Sequence, residues 1–209
     1  MKFNNKFNSR NALIPTLSRA SPVLLILITL LNCIVNPGYH SFYLFVIMIA
    51  LLPINWIIKH LIVKPIYNLL KTDNLPILGI GKRPNSANSC QFILDNIPSF
   101  SYGMPSGHSQ FIWTAGTYII CKIIDNWNNN WINNSKNNVP ITIFGYIWLI
   151  LSCCIVLLTM VYVSYSRVYI EGCHTIQQVV VGGILGISTG FIVYYFENDV
   201  INAINDVGK

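Results

Sequence analysis

The sequence predicts an all-α integral membrane protein, a helical bundle of about five, or six, transmembrane helices. Of the 209 residues, 53% are hydrophobic and only 10% are charged, and the mean hydropathy is +0.52. A soluble domain normally carries about 25% charged residues. The apolar residues are also gathered into segments close to the roughly 20 residues that a helix needs to cross a bilayer. The net charge of +6 forms no basic stripe, which argues against a nucleic-acid-binding protein.

Five apolar segments predict the individual membrane spans. The first extends from about residue 22 to 35 and ends at Asn36-Pro37-Gly38, a turn signal. The second extends from 41 to about 63 and contains Pro53, a kink that membrane helices tolerate. The other three segments cover approximately residues 105–124, 141–163 and 176–196.

These spans predict one membrane-embedded domain over residues 21–198, between a basic tail at 1–20 and a polar tail at 199–209. The apolar run after the basic tail is too long for the h-region of a cleavable signal peptide. Residues 64–104 form a long polar connection of the kind that usually has a function. Residues 125–140 are rich in asparagine, which predicts a surface loop.

Three polar motifs fall at one membrane face if the chain has five spans. Lys82-Arg83-Pro84 follows the second span, Pro105-Ser106-Gly107-His108 opens the third, and Ser166-Arg167, followed by His174, joins the last two. Two arginines and two histidines supply the fixed positive charge, the nucleophile and the proton donor that phosphoryl transfer needs. Taken singly, each motif also has a purely structural interpretation. The second motif could be a capped helix start, and each arginine could anchor a helix at the membrane interface.

In this order the motifs resemble those of the type 2 phosphatidic acid phosphatase superfamily, which contains lipid phosphatases and vanadium haloperoxidases. The resemblance implies the helical core of that family. It also implies that His174 attacks phosphorus to form a phosphohistidine and that His108 protonates the leaving group. The remaining implied site residues bind the phosphate oxygens: Arg83, Arg167, Ser106, Gly107 and Ser166.

The chain departs from the family pattern at three places. Gln178 stands where the family usually has an aspartate that orients the nucleophilic histidine. Six residues, and not five, separate Arg167 from His174, and Gly172 is expected to let a loop absorb the extra one. The expected lysine of the first motif is missing, because Pro76 occupies its position. Lys59 at the end of the second span and Lys82 both remain candidates for that role, and Lys59 is favoured; alternatively, Lys59 only extends to the interface.

The sequence around the second and third motifs looks most like the dolichyl diphosphatase branch. The resemblance therefore implies hydrolysis of a lipid phosphate monoester or a polyprenyl diphosphate by a multi-pass, endomembrane-type protein without a metal or another cofactor. Two alternatives stay open: a catalytically inactive relative that binds lipid or acts as a scaffold, and a lipid phosphotransferase that uses the same histidine. No prediction of the oligomeric state follows.

Three further predictions concern single residues and orientation. Glu171 is expected to be a solvated loop acid, the alternative being that it replaces the missing aspartate. Cys90 and Cys173 are expected to be free thiols, because they could pair only in an oxidising compartment. The basic N-terminal tail predicts that the motifs face the cytoplasm, whereas the dolichyl diphosphatase resemblance implies that they face the lumen.

Overall fold

The computed structural model describes residues 13–84, 87, 102–136 and 143–207. Five long helical segments dominate it. The helices are α1 (Leu13–Val35), α2 (Tyr39–Ile57), α3 (Lys64–Leu69), α4 (Gly107–Lys136), α5 (Ile143–Tyr165) and α6 (Ile176–Val207). A π-helical turn at Ile58–Val63 joins α2 to α3, and another at Ser166–Ile170 extends α5. Two short antiparallel strands, β1 (Asn74–Leu75) and β2 (Gly79–Ile80), follow α3.

The fold class is the predicted one, an all-α membrane bundle. Within the described part of the chain, four helical segments are long and apolar enough to cross a bilayer: Thr16–Val35, Tyr39–Leu69, Ile143–Ile170 and Ile176–Asp206. The fifth long helix, α4, is less apolar because it buries polar side chains inside the bundle, among them Ser109, Gln110 and Thr114. Its second half also contains the asparagine-rich segment.

The centre of the bundle is the contact between α4 and α6. Three glycines spaced four residues apart on α6 face the backbone of α4. A Cβ atom added at Gly182 would lie 2.5 Å from the carbonyl oxygen of Ser106, just before α4. A Cβ atom added at Gly186 or Gly190 would lie 2.6 Å or 2.8 Å from a carbonyl oxygen of α4 itself. Small residues allow close backbone approach between membrane helices, where the hydrophobic effect does not drive association. The glycines therefore set the distance between the helix that opens at the second motif and the helix that follows the third.

Several helix boundaries differ from the prediction. The asparagine-rich segment is helical as far as Lys136 and is not a loop from residue 125. Trp127 and Trp131 pack against Tyr146 of α5, with ring centroids 5.0 Å and 6.2 Å apart, and this contact outweighs the weak helix propensity of asparagine. At the termini, α1 begins at Leu13, inside the predicted basic tail, and α6 continues through the predicted polar tail to Val207.

A polar cluster holds the helices together at the end of α6 that is remote from His174. The Glu197 carboxylate is buried and accepts hydrogen bonds from Tyr118 at 2.7 Å and Lys122 at 2.5 Å. His40 of α2 lies 2.8 Å from the same carboxylate. Because a helix rises 1.5 Å per residue, this cluster lies roughly 30 Å from the third motif.

Candidate active site

The first motif is held in place by the approach to α4. The Gly81 carbonyl oxygen accepts hydrogen bonds from the backbone N–H groups of Gly103 at 3.0 Å and Met104 at 3.1 Å. Lys82 and Tyr102 form an isolated antiparallel bridge next to it. The segment that carries Arg83 is therefore tied to the segment that carries the second motif, and both reach the N-terminal end of α6.

Gln178 determines which nitrogen of His174 carries the proton. The Gln178 amide nitrogen donates to the carbonyl oxygens of Ile80 at 2.7 Å and Lys82 at 2.8 Å. Its amide oxygen therefore faces His174 and lies 3.0 Å from Nδ1. Because an amide oxygen only accepts, Nδ1 carries the hydrogen and Nε2 keeps its lone pair. This is the tautomer that a nucleophilic Nε2 requires.

The Arg83 guanidinium lies directly in front of that nitrogen. Its Nη1 atom is 3.2 Å from His174 Nε2 and donates to the Cys173 carbonyl oxygen at 3.3 Å. Burial, followed by the positive charges of Arg83, Arg167 and Lys59, holds the pKa of His174 well below its ordinary value. Burial and the neighbouring Arg167 lower the pKa of Arg83 to about 10, which leaves the guanidinium charged at neutral pH. The site therefore combines a neutral imidazole with a fixed cation.

The second motif passes close to the start of α6. The Ser106 N–H donates to the Gln178 carbonyl oxygen at 3.0 Å. The Ser106 hydroxyl is fully buried and has no hydrogen-bond partner among the described residues. Gly107 lies against α2, where an added Cβ would be 3.1 Å from the Asn55 Oδ1 atom. Asn55 in turn donates to the Gln110 side chain at 2.6 Å.

His108 is held by the first helix. Its Nε2 atom lies 2.9 Å from the backbone carbonyl oxygen of Arg19. A carbonyl oxygen only accepts, so Nε2 carries a hydrogen and Nδ1 is the nitrogen that remains for proton transfer. Sequence reasoning missed Arg19, because one arginine at the start of an apolar segment has the same pattern as an interfacial anchor.

In the third motif, a glycine accommodates the extra residue. Gly172 has a φ of +64°, which favours glycine, and the backbone N–H groups of Cys173 and His174 both donate to the Arg167 carbonyl oxygen, at 3.0 Å and 3.2 Å. The six-residue spacing thus ends in a tight loop that presents His174 next to Arg83.

Glu171 is not the solvated loop acid that the sequence predicted. Its side chain is only 3% exposed and contacts the Arg167 guanidinium. It also accepts a hydrogen bond from the Ser166 hydroxyl at 3.1 Å and lies 3.9 Å from Arg19 Nε. Burial raises the pKa of Glu171, and the nearby arginines oppose that shift. Gln178, and not Glu171, therefore holds the Nδ1 atom of His174 in place of the missing aspartate.

A cavity of about 310 Å³ lies in front of the two histidines. Its polar wall includes both histidines and three cationic side chains: His108, His174, Arg19, Lys59 and Arg83. Its apolar wall consists of Pro22, Val23, Leu52 and Phe111, from α1, α2 and α4. Arg167, Ser106, Ser166 and Gln178 are fully buried around the site and do not line the cavity.

The structure distinguishes between the two candidate lysines. Lys59 lines the cavity. The Lys82 ammonium instead lies 2.9 Å from the Asp73 carboxylate, and both side chains are mostly exposed. The position of Lys59 in the cavity wall therefore favours Lys59 over Lys82 as the lysine that binds phosphate. The Lys82 backbone carbonyl oxygen nevertheless takes part in the site by accepting the Gln178 amide.

The cysteine next to the histidine is also different from the prediction. Cys173 is disulfide-bonded and not a free thiol. Cys90 lies outside the described residues. The other cysteines, Cys33, Cys121, Cys153 and Cys154, are free, as expected for residues in apolar helices.

The family model of the PAP2 superfamily matches residues 43–201. A protein of Saccharomyces cerevisiae named dolichyldiphosphatase is 35% identical over 136 residues, which are 65% of this chain and 48% of that protein. The chain thus spans about half the length of this curated relative. No solved structure matches the chain significantly.

Proposed function

The chain belongs to the PAP2 superfamily, and from this premise we propose that it is a membrane lipid phosphatase acting through a phosphohistidine at His174. The observation that carries the proposal is the His174 ring. Its Nδ1 is held by Gln178, and its Nε2 lies 3.2 Å from Arg83 at the wall of a cavity shared with Lys59 and His108. A neutral nucleophile among fixed cations suits an anionic phosphoryl group.

In the first step, the substrate phosphate enters the cavity, and its non-bridging oxygens accept hydrogen bonds from Arg83 and Lys59. Arg167 leaves the Glu171 carboxylate and donates to the phosphate as well. The His174 Nε2 lone pair forms a bond to phosphorus while the bond from phosphorus to the leaving oxygen breaks. His108, which takes up a proton together with the anionic substrate, transfers its Nδ1 proton to that oxygen, while its Nε2–H is held by the Arg19 carbonyl oxygen.

In the second step, water replaces the leaving group. Neutral His108 accepts a water proton on Nδ1 while the water oxygen bonds to phosphorus and the nitrogen–phosphorus bond breaks. Inorganic phosphate leaves, His174 becomes neutral again and His108 is protonated for the next cycle. Gln178 holds the Nδ1–H of His174 throughout, but as a neutral acceptor it stabilises a charged imidazole less than an aspartate would.

The cavity wall favours a lipid substrate, and the similarity to a protein named dolichyldiphosphatase favours a polyprenyl diphosphate. Pro22, Val23, Leu52 and Phe111 form an apolar side of the cavity between helices that cross the membrane. A substrate could therefore keep its hydrocarbon chain in the bilayer while its phosphate reaches His174.

We also propose that the active site faces an oxidising lumen in an endomembrane, because Cys173 is disulfide-bonded. The basic N-terminal tail predicts the opposite orientation. Arg19 is one of the positive residues counted in that prediction, but it is buried in the site and so does not act as a charge of the tail. Asn133-Asn134-Ser135 is a sequence that can accept N-glycosylation, and it lies near the other end of α4. Asn133 should therefore remain unglycosylated. An acceptor sequon added before residue 13 should be glycosylated. Glycosylation of Asn133 alone would reverse this orientation.

The activity can be tested by phosphate release from detergent-purified protein in EDTA, with phosphatidic acid and a polyprenyl diphosphate side by side. Release from either lipid that disappears in His174→Ala supports the proposal. Full activity of His174→Ala contradicts it. Release from neither lipid by the unmodified protein would favour a lipid-binding or scaffold role, consistent with the Glu171 carboxylate on Arg167.

A further inference from the structure

Arg19 belongs to the cavity although it lies outside residues 43–201, which match the family model. Its side chain is only 9% exposed and lines the same wall as Lys59, Arg83 and the two histidines. Its backbone carbonyl oxygen lies 2.9 Å from His108 Nε2, and its Nε atom lies 3.9 Å from the Glu171 carboxylate. Arg19 therefore contacts both the second and the third motif from α1.

Building on the function proposed above, we propose that Arg19 binds the leaving phosphate of a lipid diphosphate and thereby selects lipid diphosphates over lipid monophosphates. The residue would act on the leaving group, whereas Arg83 acts on the phosphoryl group that His174 attacks.

The position of His108 shows on which side of the cavity the leaving group lies. The group that protonates the leaving oxygen must lie within hydrogen-bond reach of it. Because the Arg19 side chain lines the same cavity as His108, it belongs to the region that the leaving group occupies. When a lipid monophosphate is cleaved, the leaving group is an alcohol without charge. When a lipid diphosphate is cleaved, the leaving group is a lipid phosphate, and only then does the leaving group offer Arg19 an anion to bind.

The charges of the site agree with a diphosphate. Four cationic side chains surround the reaction centre: Arg19, Lys59, Arg83 and Arg167. One buried carboxylate, that of Glu171, faces them. A diphosphate carries more negative charge than a monophosphate and can therefore use a further cation. An arginine suits this position because its planar fork matches two phosphate oxygens.

A purely structural role of Arg19 makes a different prediction. If Arg19 only held His108 and Glu171 in position, its replacement would impair the reaction of every substrate to the same degree. The ratio of kcat/KM for the diphosphate to kcat/KM for the monophosphate separates the two roles, because a structural defect cancels in that ratio.

The test compares the full chain with Arg19→Gln, Arg19→Lys and the control Lys64→Gln, on a polyprenyl diphosphate and the monophosphate of the same prenyl chain. Lys64 is an exposed lysine that does not line the cavity. We expect Arg19→Gln to lower the diphosphate-to-monophosphate ratio by about tenfold or more, the effect of one hydrogen bond to a charged group. Arg19→Lys should recover part of the ratio, and Lys64→Gln should leave it unchanged.

An unchanged ratio in Arg19→Gln overturns the inference, whether both activities fall together or neither falls. If Arg19→Gln does not fold, inhibition of the wild type and Arg19→Lys by inorganic diphosphate and by inorganic phosphate gives the same comparison. The inference then requires that Arg19→Lys weakens inhibition by diphosphate more than inhibition by phosphate, and equal weakening overturns it. A wild-type protein that releases phosphate from neither lipid would instead refute the proposed function.

Discussion

At the scale of single residues, Gln178 has the most consequential contacts of the site. It joins the segment of the first motif to the ring of His174 through three hydrogen bonds, to Ile80, Lys82 and His174. Its residue type alone predicted an acceptor for the histidine. The two backbone carbonyl oxygens that fix its amide could not be predicted, because they come from a segment almost 100 positions earlier in the chain.

We therefore predict that Gln178→Ala lowers kcat by about 100-fold or more, because it frees the His174 ring and leaves the carbonyl oxygens of Ile80 and Lys82 without this donor. The neighbouring variant Gln177→Ala is the matched control, since Gln177 is exposed, and it should retain activity. The measurement is kcat of both variants and of the wild type, from steady-state kinetics on one lipid substrate. Equal activities of the two variants would show that the amide does not position the nucleophile.

The depressed pKa of His174 gives a prediction for pH dependence. Since burial and three cations disfavour the imidazolium, the nucleophile remains neutral at pH values below the ordinary histidine pKa. Removing one of these charges in Lys59→Gln raises the pKa of His174, so the acidic limb of the kcat/KM profile should move to higher pH. The ionisation of the substrate is the same for the wild type and Lys59→Gln, so it cannot cause such a shift. An acidic limb at the same pH in both proteins would contradict the assignment of this limb to His174.

Arg19 and Glu171 show where sequence reasoning at this scale ends. Both are charged residues whose types fit an interface anchor and a loop acid. Their burial against each other and against Arg167 depends on the packing of α1 on the third motif, which no local pattern encodes.

At the scale of the helices, hydrophobicity predicted five spans. Four described helices are apolar enough to cross a membrane, α4 is not among them, and the predicted ends were imprecise. The segments at 41–63 and 176–196 correspond to α2 and α6, with ends that shift by a few residues or more. The compositional bias of the asparagine-rich segment predicts a surface loop, but the segment is helical as far as Lys136. Two tryptophans on it pack against α5, so tertiary contacts decided its conformation.

The glycines of α6 give a prediction at this scale. In Gly186→Val the new Cβ would lie 2.6 Å from the Gln110 carbonyl oxygen, so α4 and α6 must separate. We expect a loss of about 1–3 kcal/mol in the free energy of unfolding, measured as a lower thermal midpoint in detergent. Gly183→Ala is the control, because its Cβ would be 3.5 Å from the nearest atom, an ordinary contact. A Gly186→Val protein as stable as this control would show that the helices do not pack through these glycines.

At the scale of the whole molecule, the bundle places its chemistry at one end and a separate polar cluster at the other. The motifs at residues 83, 108 and 174 meet at the N-terminal end of α6, and Glu197 joins α2, α4 and α6 at the opposite end. The order of the spans predicted that the motifs share one face. The contribution of α1 to the cavity was not predicted, since its sequence shows only an apolar helix with a basic start.

The most direct test of the central proposal is to detect the covalent intermediate on His174. The wild-type protein is mixed with a lipid carrying ³²P in the phosphate to be transferred, quenched with base at short times, and digested for identification of the labelled peptide. We predict a label on His174 that is stable to base and lost in acid, and no label in His174→Ala. A label on another residue, or phosphate release by His174→Ala at the wild-type rate, would contradict the proposed mechanism.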